Sequence, residues 1–387
     1  MIDHLHQAFN TYFNRTDGKA FFSPSRVNLI GEHIDYNGGF VFPCALSYGT
    51  YGVAQLRDDD LVTVFSKSFS NNVYSFSLHD LKKDVGHAWV DYIKGSIEAL
   101  QKDGFIFHEG IDLYIEGDMP LGAGLSSSAS LEMLVIYIFN TFYHLNLSKE
   151  KMAQLGQYAE NKFVGVNSGI MDQFAVIAGK KDHAILLNTD TLAYELIPIN
   201  LQHEKLIIAN TNKRRGLAES KYNERFSECQ EALSIIKKTK HITHLCELNL
   251  DDLNDVKDDL SPVVYRRVKH VVTEQQRTML STKSLKNGDI QHFADLMTAS
   301  HQSLRDDYEV TGIELDTLQD ELIKAGALGA RMTGAGFGGC VVAIIPDHDV
   351  EIIKETVIHN YEKKIGYKPT FYEVKITDGT QELSALS

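Results

Sequence analysis

The chain has 387 residues, enough for two domains with buried cores, and 43% of them are apolar against 23% charged, the balance of a folded globular protein rather than a disordered one. Its 38 basic and 52 acidic residues leave a net charge of -14, which opposes general attraction to nucleic acid or an anionic membrane, so a nucleotide would have to be bound locally. Cys44, Cys229, Cys246 and Cys340 are scattered without a CxxC pair, which argues against a disulfide framework or a zinc site and predicts a reducing, cytoplasmic compartment.

The opening MIDHLHQAFNTYFNRTDG lacks a basic stretch ahead of an apolar core, so no signal peptide is expected, and it reads as a short amphipathic helix. Phe21 to Ile30 predicts strand, Gly31 interrupts it, and Asn37-Gly38-Gly39 is a turn signal before the apolar run Phe40 to Leu46. Around this junction stand Arg26, Glu32, His33 and Asp35. Such a set serves either as a solvated hairpin end or as donors and acceptors for the hydroxyls of a sugar. Residues 50 to 80 alternate polar and apolar side chains, as antiparallel strands do. Trp89 to Leu100 reads as a helix with Trp89, Ile93, Ile97 and Leu100 packed on one face, and Gly110 to Glu116 as a further strand.

That strand leads into PLGAGLSSSASLEM, residues 120 to 133. Gly122 and Gly124 let a ligand approach the main chain, Ser126, Ser127 and Ser128 are N-cap candidates, and Leu131, Leu134, Val135, Ile138, Phe139 and Phe142 mark one buried helical face. The unpaired N–H groups and positive dipole end of such a helix suit phosphate, and the hydroxyls add donors and a metal ligand. A capped helix after a flexible turn produces the same pattern. The stretch lacks the lysine of a Walker A loop, and its glycines do not form GxGxxG. Its apolar run is too short to span a bilayer and is flanked by Glu132 and Asn140, so no membrane insertion is expected.

From Lys149 the helical spacing resumes, with Met152, Leu155 and Ala159 facing inward and Glu160 beside them. VNSGIMDQFAV follows, with a turn at Asn167, Ser168 and Gly169. Asp172 then enters apolar surroundings, where it acts as a helix cap or as a carboxylate beside a substrate hydroxyl. Neither a linker nor an internal repeat is visible, and the seam near Thr189 to Asn200 predicts domains 1–195 and 196–387. Lys213 to Lys238 reads as a charged helix carrying Tyr222, Asp251 to Asp259 as an acidic loop, and Val263 to Leu280 with Asp289 to Leu304 as a helical pair. In GARMTGAGFGGCVVAII, residues 329 to 345, Gly334, Gly336, Gly338 and Gly339 predict a tight loop opening the strand Cys340 to Ile345.

PLGAGLSSSA resembles the phosphate loop of the kinase superfamily that includes galactokinase, homoserine kinase, mevalonate kinase and phosphomevalonate kinase. RVNLIGEHIDYNGG is similar to that superfamily's galactokinase signature, with Ser25 where glycine is usual and Ile34 where threonine is usual. HQSLRDDYEVTGIELDTL, residues 301 to 318, matches a further galactokinase stretch, and GARMTGAGFGGC resembles the superfamily's third motif. The resemblance implies an α+β fold of two domains, the N-terminal one ribosomal-S5-domain-2-like and the C-terminal one ferredoxin-like, with the active site between them. It implies transfer of phosphate from ATP to the anomeric hydroxyl of α-D-galactose, with Asp172 and Arg26 at the chemistry. The sugar contacts would be Glu32, His33, Ile34, Asp35, Gly169 and Tyr222. Nucleotide contacts would come from Ser66, Gly122, Ala123, Gly124, Leu125, Ser126, Ser127 and Ser128, and Mg²⁺ would be held by Ser128 and Glu160. ATP and galactose are the expected partners, with no nucleic acid, membrane or obligate protein partner. A related kinase for N-acetylgalactosamine or homoserine would not need GEHIDY. A non-catalytic sugar sensor would be expected to carry damage at Arg26, Asp172 or the SSSA loop, and all are intact.

Overall fold

The amino-terminal segment forms α1 (Ile2–Phe13), which buries Leu5 and Phe9 on one face as its amphipathic pattern requires. A computed structural model describes the chain except residues 1, 71, 85, 120–123, 167, 214–217 and 385–387. After α1 come β1 (Lys19–Asn28), β2 (Phe40–Val41), β3 (Pro43–Leu56), β4 (Leu61–Ser66), β5 (Tyr74–Ser77), α2 (Ala88–Lys102) and β6 (Ile111–Gly117). They are followed by α3 (Ser127–Phe142), α4 (Lys149–Tyr158), α5 (Met171–Ala178), β7 (His183–Asn188) and β8 (Tyr194–Pro198). The second half runs β9 (Glu204–Asn210), α6 (Ala218–Ile236), α7 (Leu250–Asp255), α8 (Pro262–Lys286), α9 (Ile290–Ser303) and α10 (Ile313–Ala325). It closes with β10 (Gly329–Thr333), β11 (Cys340–Pro346), α11 (Val350–Ile365), β12 (Thr370–Val374) and β13 (Gln381–Leu383).

The first sheet has the order β13-β1-β3-β6-β4-β5. It is not antiparallel throughout, as the alternating pattern suggested: β4 and β6 pair in parallel, with Phe65 opposite Tyr114. The reason is topological, because α2 intervenes between the β4–β5 hairpin and β6, and a parallel pair needs such a crossover. α3 packs its apolar surface against β1 and β3, and its buried Ser130 hydroxyl is satisfied by donating to the Ser23 carbonyl at 2.7 Å.

In the second half the sheet order is β10-β11-β9-β12, antiparallel at every pairing. Counted in chain order this is 2-3-1-4. Helices separate its first strand from its second and its third from its fourth, which is the ferredoxin-like arrangement with α6 to α10 as an expanded first crossover. The acidic stretch at 251–259 is a correction: it forms α7 and a single 3₁₀ turn, Lys257–Asp259, rather than a loop. The Asn249 side chain accepts from the amides of Asp251 and Asp252, while Asp252 Oδ2 accepts from the Asn249 amide at 3.0 Å. Acidic residues suit a helix's first turn, where they meet the positive end of its dipole.

The fold is therefore α+β with two domains. We propose a division near residue 195, with β13 returning at the carboxyl end to the edge of the first sheet. Among the described residues no helix is long and apolar enough to cross a membrane.

Candidate active site

Arg26, near the end of β1, is buried and points at the first turn of α5. Its Nε and Nη2 donate to the two carboxylate oxygens of Asp172, each at 2.7 Å, and its Nη1 donates to the Gly124 carbonyl at 3.0 Å. A planar guanidinium fork matched to a carboxylate fixes both groups in orientation as well as in charge. One arginine thus links the turn before α3 to the only carboxylate of α5. Ser126 adds to the same point: its hydroxyl donates to Asp172 Oδ2. This corrects the capping expectation, because Ser126 occupies the N-cap position with φ 60° and its side chain makes no cap bond. Ser127 is exposed at the helix start, while the Leu125 side chain is buried in the core, so Leu125 has only its backbone to offer a ligand. Gly122, Ala123 and Asn167 lie outside the described residues. Ser66 is buried at the end of β4, where its amide donates to the Ser70 hydroxyl at 3.1 Å.

Ser128 and Glu160 meet as a pair, the serine hydroxyl donating to Glu160 Oε1 at 3.0 Å. Glu160 sits in a π-helical turn, Ala159–Val164, that continues α4. Such turns shift side chains out of α-helical register and recur at functional sites. Its Oε2 accepts from the Ser168 hydroxyl and from Gln173 Nε2, both at 2.7 Å, and Gln173 Nε2 also reaches Glu132 Oε2 at 3.0 Å. Burial pushes the Glu160 carboxyl above its ordinary range, and that of Glu132 well above it, despite these bonds. Buried carboxyls held by neutral donors, with Ser128 alongside, are a donor set that a hard, oxygen-seeking cation would relieve.

The segment between β1 and β2 carries the polar set singled out above, and α8 holds its backbone. Glu274 Oε1 accepts from the amides of Gly31 at 2.9 Å and Glu32 at 3.2 Å, and His270 Nε2 donates to the Glu32 carbonyl at 3.0 Å. Glu32 is tied to the other side of the cleft, its Oε2 accepting from Arg331 Nη2 at 2.8 Å and from the Gly334 amide at 3.0 Å. His33 is buried at φ 62°, with Nδ1 2.9 Å from the Tyr36 hydroxyl and Nε2 3.2 Å from the Ala335 carbonyl. Burial and the neighbouring His270 push its pKa down to about 3, so it is neutral. Ile34 is fully buried and its carbonyl closes the turn by accepting from the Asn37 and Gly39 amides.

Asp35 opens onto a cavity of about 600 Å³ that it lines with Gln157, Asn161, Gly169, Asp190 and Tyr222. Burial, reinforced by the charges of Glu32 and Asp172, raises the Asp35 pKa to about 7. A Cβ on Gly169 would lie 2.1 Å from Asp35 Oδ2, so any side chain there would displace the carboxylate. Across the cleft the glycine loop 334–339 lies beside Gly124, since a Cβ on Gly334 would stand 3.7 Å from the Gly124 carbonyl. Gly124 and the start of the 334–339 loop are thus neighbours. Sequence reasoning missed Gln173, Glu274, Tyr308 and Arg331. Arg331 and Tyr308 fall inside quoted motifs without standing out there, and Glu274 is one charge among many on a long helix.

The fold and the converging loops define a small-molecule kinase of the GHMP type. Residues 91–180 match the GHMP kinases N terminal domain, residues 281–363 the GHMP kinases C terminal, and residues 7–56 the galactokinase galactose-binding signature. Galactokinase of Clostridium acetobutylicum is 49% identical over 387 residues, covering 99% of this chain and 100% of its own. Galactokinase of Ligilactobacillus salivarius is 48% identical over 385 residues, covering 98% and 99%. The crystal structure of Lactococcus lactis galactokinase complexed with galactose superposes with a TM-score of 0.96 at 44% identity, covering 99% of this chain and 100% of that one. A mevalonate kinase structure shares the fold at a TM-score of 0.62 and 20% identity. The chain belongs to the galactokinase family.

Proposed function

We propose that this chain transfers the γ-phosphoryl group of ATP to the anomeric hydroxyl of α-D-galactose. The Arg26–Asp172 pair, beside the helix-terminal serine loop and near a cavity with the polar lining of Asp35, Asn161 and Tyr222, is the observation that carries the reading. Phosphoryl transfer depends on positioning and charge stabilisation more than on covalent chemistry. Asp172 orients the acceptor hydroxyl and takes its proton, while Arg26 holds that carboxylate and offers positive charge to the transferring group. The turn at 124–128 opens a helix whose N-terminal amides suit the phosphates of ATP. Asp35 and Tyr222 face the sugar, with Gly169 keeping the Asp35 carboxylate in place. His33 and Glu32 are engaged within the protein, and we assign them to holding the site's walls. The sensor alternative is not favoured, because the relatives are galactokinases and Arg26, Asp172 and Ser126, among the residues it would lose, are joined here in one network.

Ser128 and Glu160 would hold Mg²⁺, which when bound neutralises charge on the nucleotide phosphates. Among the described residues no group of three or more His, Cys, Asp and Glu is arranged to hold a metal alone. That fits an ion that takes few protein oxygens and keeps water and phosphate for the rest. Ser128→Ala and Glu160→Ala should each raise the Mg²⁺ concentration needed for half-maximal rate, and the double variant should lose less than the two losses combined, because both act on one ion. Strict additivity would remove one of them from the site. For the sugar, the test is the galactose-to-glucose ratio of kcat/KM in Asp35→Ala. A site built to hydrogen-bond one hydroxyl discriminates strongly, so that ratio should collapse. An unchanged ratio would move recognition of the axial 4-hydroxyl, the group by which galactose differs from glucose, from Asp35 to another residue.

A further inference from the structure

At the wall of the sugar cleft, which Tyr36 lines, the polar atoms of His33, Tyr36, Tyr308, Cys229 and Asn37 form a connected path whose direction can be deduced. The Ala335 carbonyl can only accept, so His33 Nε2 carries the proton and donates to it at 3.2 Å. The ring is neutral, which leaves Nδ1 as an acceptor for the Tyr36 hydroxyl at 2.9 Å. Having spent its proton, Tyr36 accepts from the Tyr308 hydroxyl at 2.7 Å, and Tyr308 in turn accepts from the Cys229 thiol at 3.2 Å. Asn37 Nδ2 closes the path, donating to Cys229 Sγ at 3.6 Å and to the His33 carbonyl at 3.0 Å. Each hydroxyl and the thiol donates once, and the imidazole accepts at one nitrogen and donates at the other. The path joins three separate stretches: the 31–39 turn, α6 through Cys229, and a π-helical turn, Leu304–Tyr308. Its output is the bond to Ala335 in the glycine loop beside Gly124.

We propose that Tyr36, Tyr308 and Cys229 are positioning residues that lock His33 as its Nε2–H tautomer, and that His33 thereby docks the 334–339 loop against the nucleotide side of the cleft. The φ of 62° at His33 is the backbone cost of aiming the ring there rather than into solvent. His33 on this view touches the loop and not the sugar through its ring.

The proposal rests on the kinase reading for its kinetic arm alone; its spectroscopic arm stands without it. Long-range ¹H–¹⁵N correlation on ¹⁵N-histidine-labelled wild-type protein at neutral pH should show His33, assigned by its absence in His33→Asn, with Nε2 protonated and Nδ1 bare. Asn tolerates a positive φ better than most residues, which makes it a fair replacement. An Nδ1–H tautomer or an imidazolium would overturn the proposal whatever the enzyme does. In steady-state assays Tyr36→Phe should lower kcat/KM for ATP about tenfold, the scale of one buried hydrogen bond, while changing nucleotide-free galactose affinity by no more than about twofold. Tyr308→Phe and Cys229→Ala should show the same split with smaller losses. Tyr36→Phe/Tyr308→Phe should lose little beyond Tyr36→Phe alone, because both break one path. Additive losses, or loss of galactose affinity in the absence of nucleotide, would contradict the relay. His33→Gln, which keeps a donor where Nε2 lies, should recover part of what His33→Asn loses, and no recovery would count against the Ala335 contact.

Discussion

In the proposed reaction Asp172 is the residue on which the chemistry turns, and its surroundings say what a conservative change would do. Three donors reach its carboxylate: two nitrogens of Arg26 and the Ser126 hydroxyl. Asn keeps the shape but replaces an acceptor oxygen by a donor facing the guanidinium, and it removes the charge that accepts a proton. We expect Asp172→Asn to fold, to bind ATP nearly as well as the wild type, and to lose turnover by about 10²-fold or more, the range for a general base. Comparing single-turnover rates with equilibrium ATP affinity checks this, and near-normal turnover would end the base assignment. The types of residue at this site were legible in the sequence because GEHIDY, SSSA and the Asp172 segment resemble the family's motifs; their composition alone served a turn or a helix cap equally well. Their engagement was not legible. The resemblance offers His33 and Glu32 as sugar ligands, and nothing local shows that Ala335 and Arg331, some three hundred residues away, also engage His33 Nε2 and Glu32 Oε2.

Among the elements, α8 does most to hold the sugar segment in place. Glu274, fully buried on it, accepts from the Gly31 and Glu32 amides, from the Ser300 hydroxyl at 2.6 Å and from Arg277 Nε at 2.8 Å. Burial alone would raise its pKa, but Arg277 and the other neighbours outweigh this and bring it from the ordinary 4.5 down to about 2. A depressed carboxyl stabilises the fold above its unfolded-state pKa and loses that contribution as the pH falls through the folded-state value. Glu274→Gln should therefore cost about 2–4 kcal/mol at neutral pH, since it leaves Arg277 unpaired and weakens three other bonds. The difference from wild type should shrink between pH 4.5 and about 2. Urea unfolding at neutral pH and at pH 3 measures both, and a penalty independent of pH would mean that Glu274 acts through shape rather than charge. Long helices such as α2 and α8 were readable from their apolar spacing, and α3 was readable as a helix, although it is buried around most of its circumference, Met133 and Ile136 included, rather than on the one face expected. α7 was not, because its acidic residues look like solvated loop until the Asn249 cap is seen to use them.

At the scale of the molecule, the two halves meet along the 28–34 segment, where Arg331 donates to the Asn28 carbonyl at 2.8 Å and to Glu32 while α8 grips the backbone from the same side. A site assembled this way from both domains explains why the motifs are spread over most of the chain. The resemblance implied two α+β domains, but nothing local predicted that β13 would return to pair with β1, since three residues of an edge strand carry too little pattern. Domain architecture and active site together make a single chemical claim: one phosphoryl group passes from ATP to one hydroxyl of galactose. Following the reaction of ATP, Mg²⁺ and galactose by ³¹P NMR tests it directly. The expected result is α-galactose 1-phosphate, its phosphorus coupled to a single anomeric proton, formed one for one with ADP. Inorganic phosphate alone, or a phosphate coupled to the two protons of the sugar's C6 methylene, would contradict it.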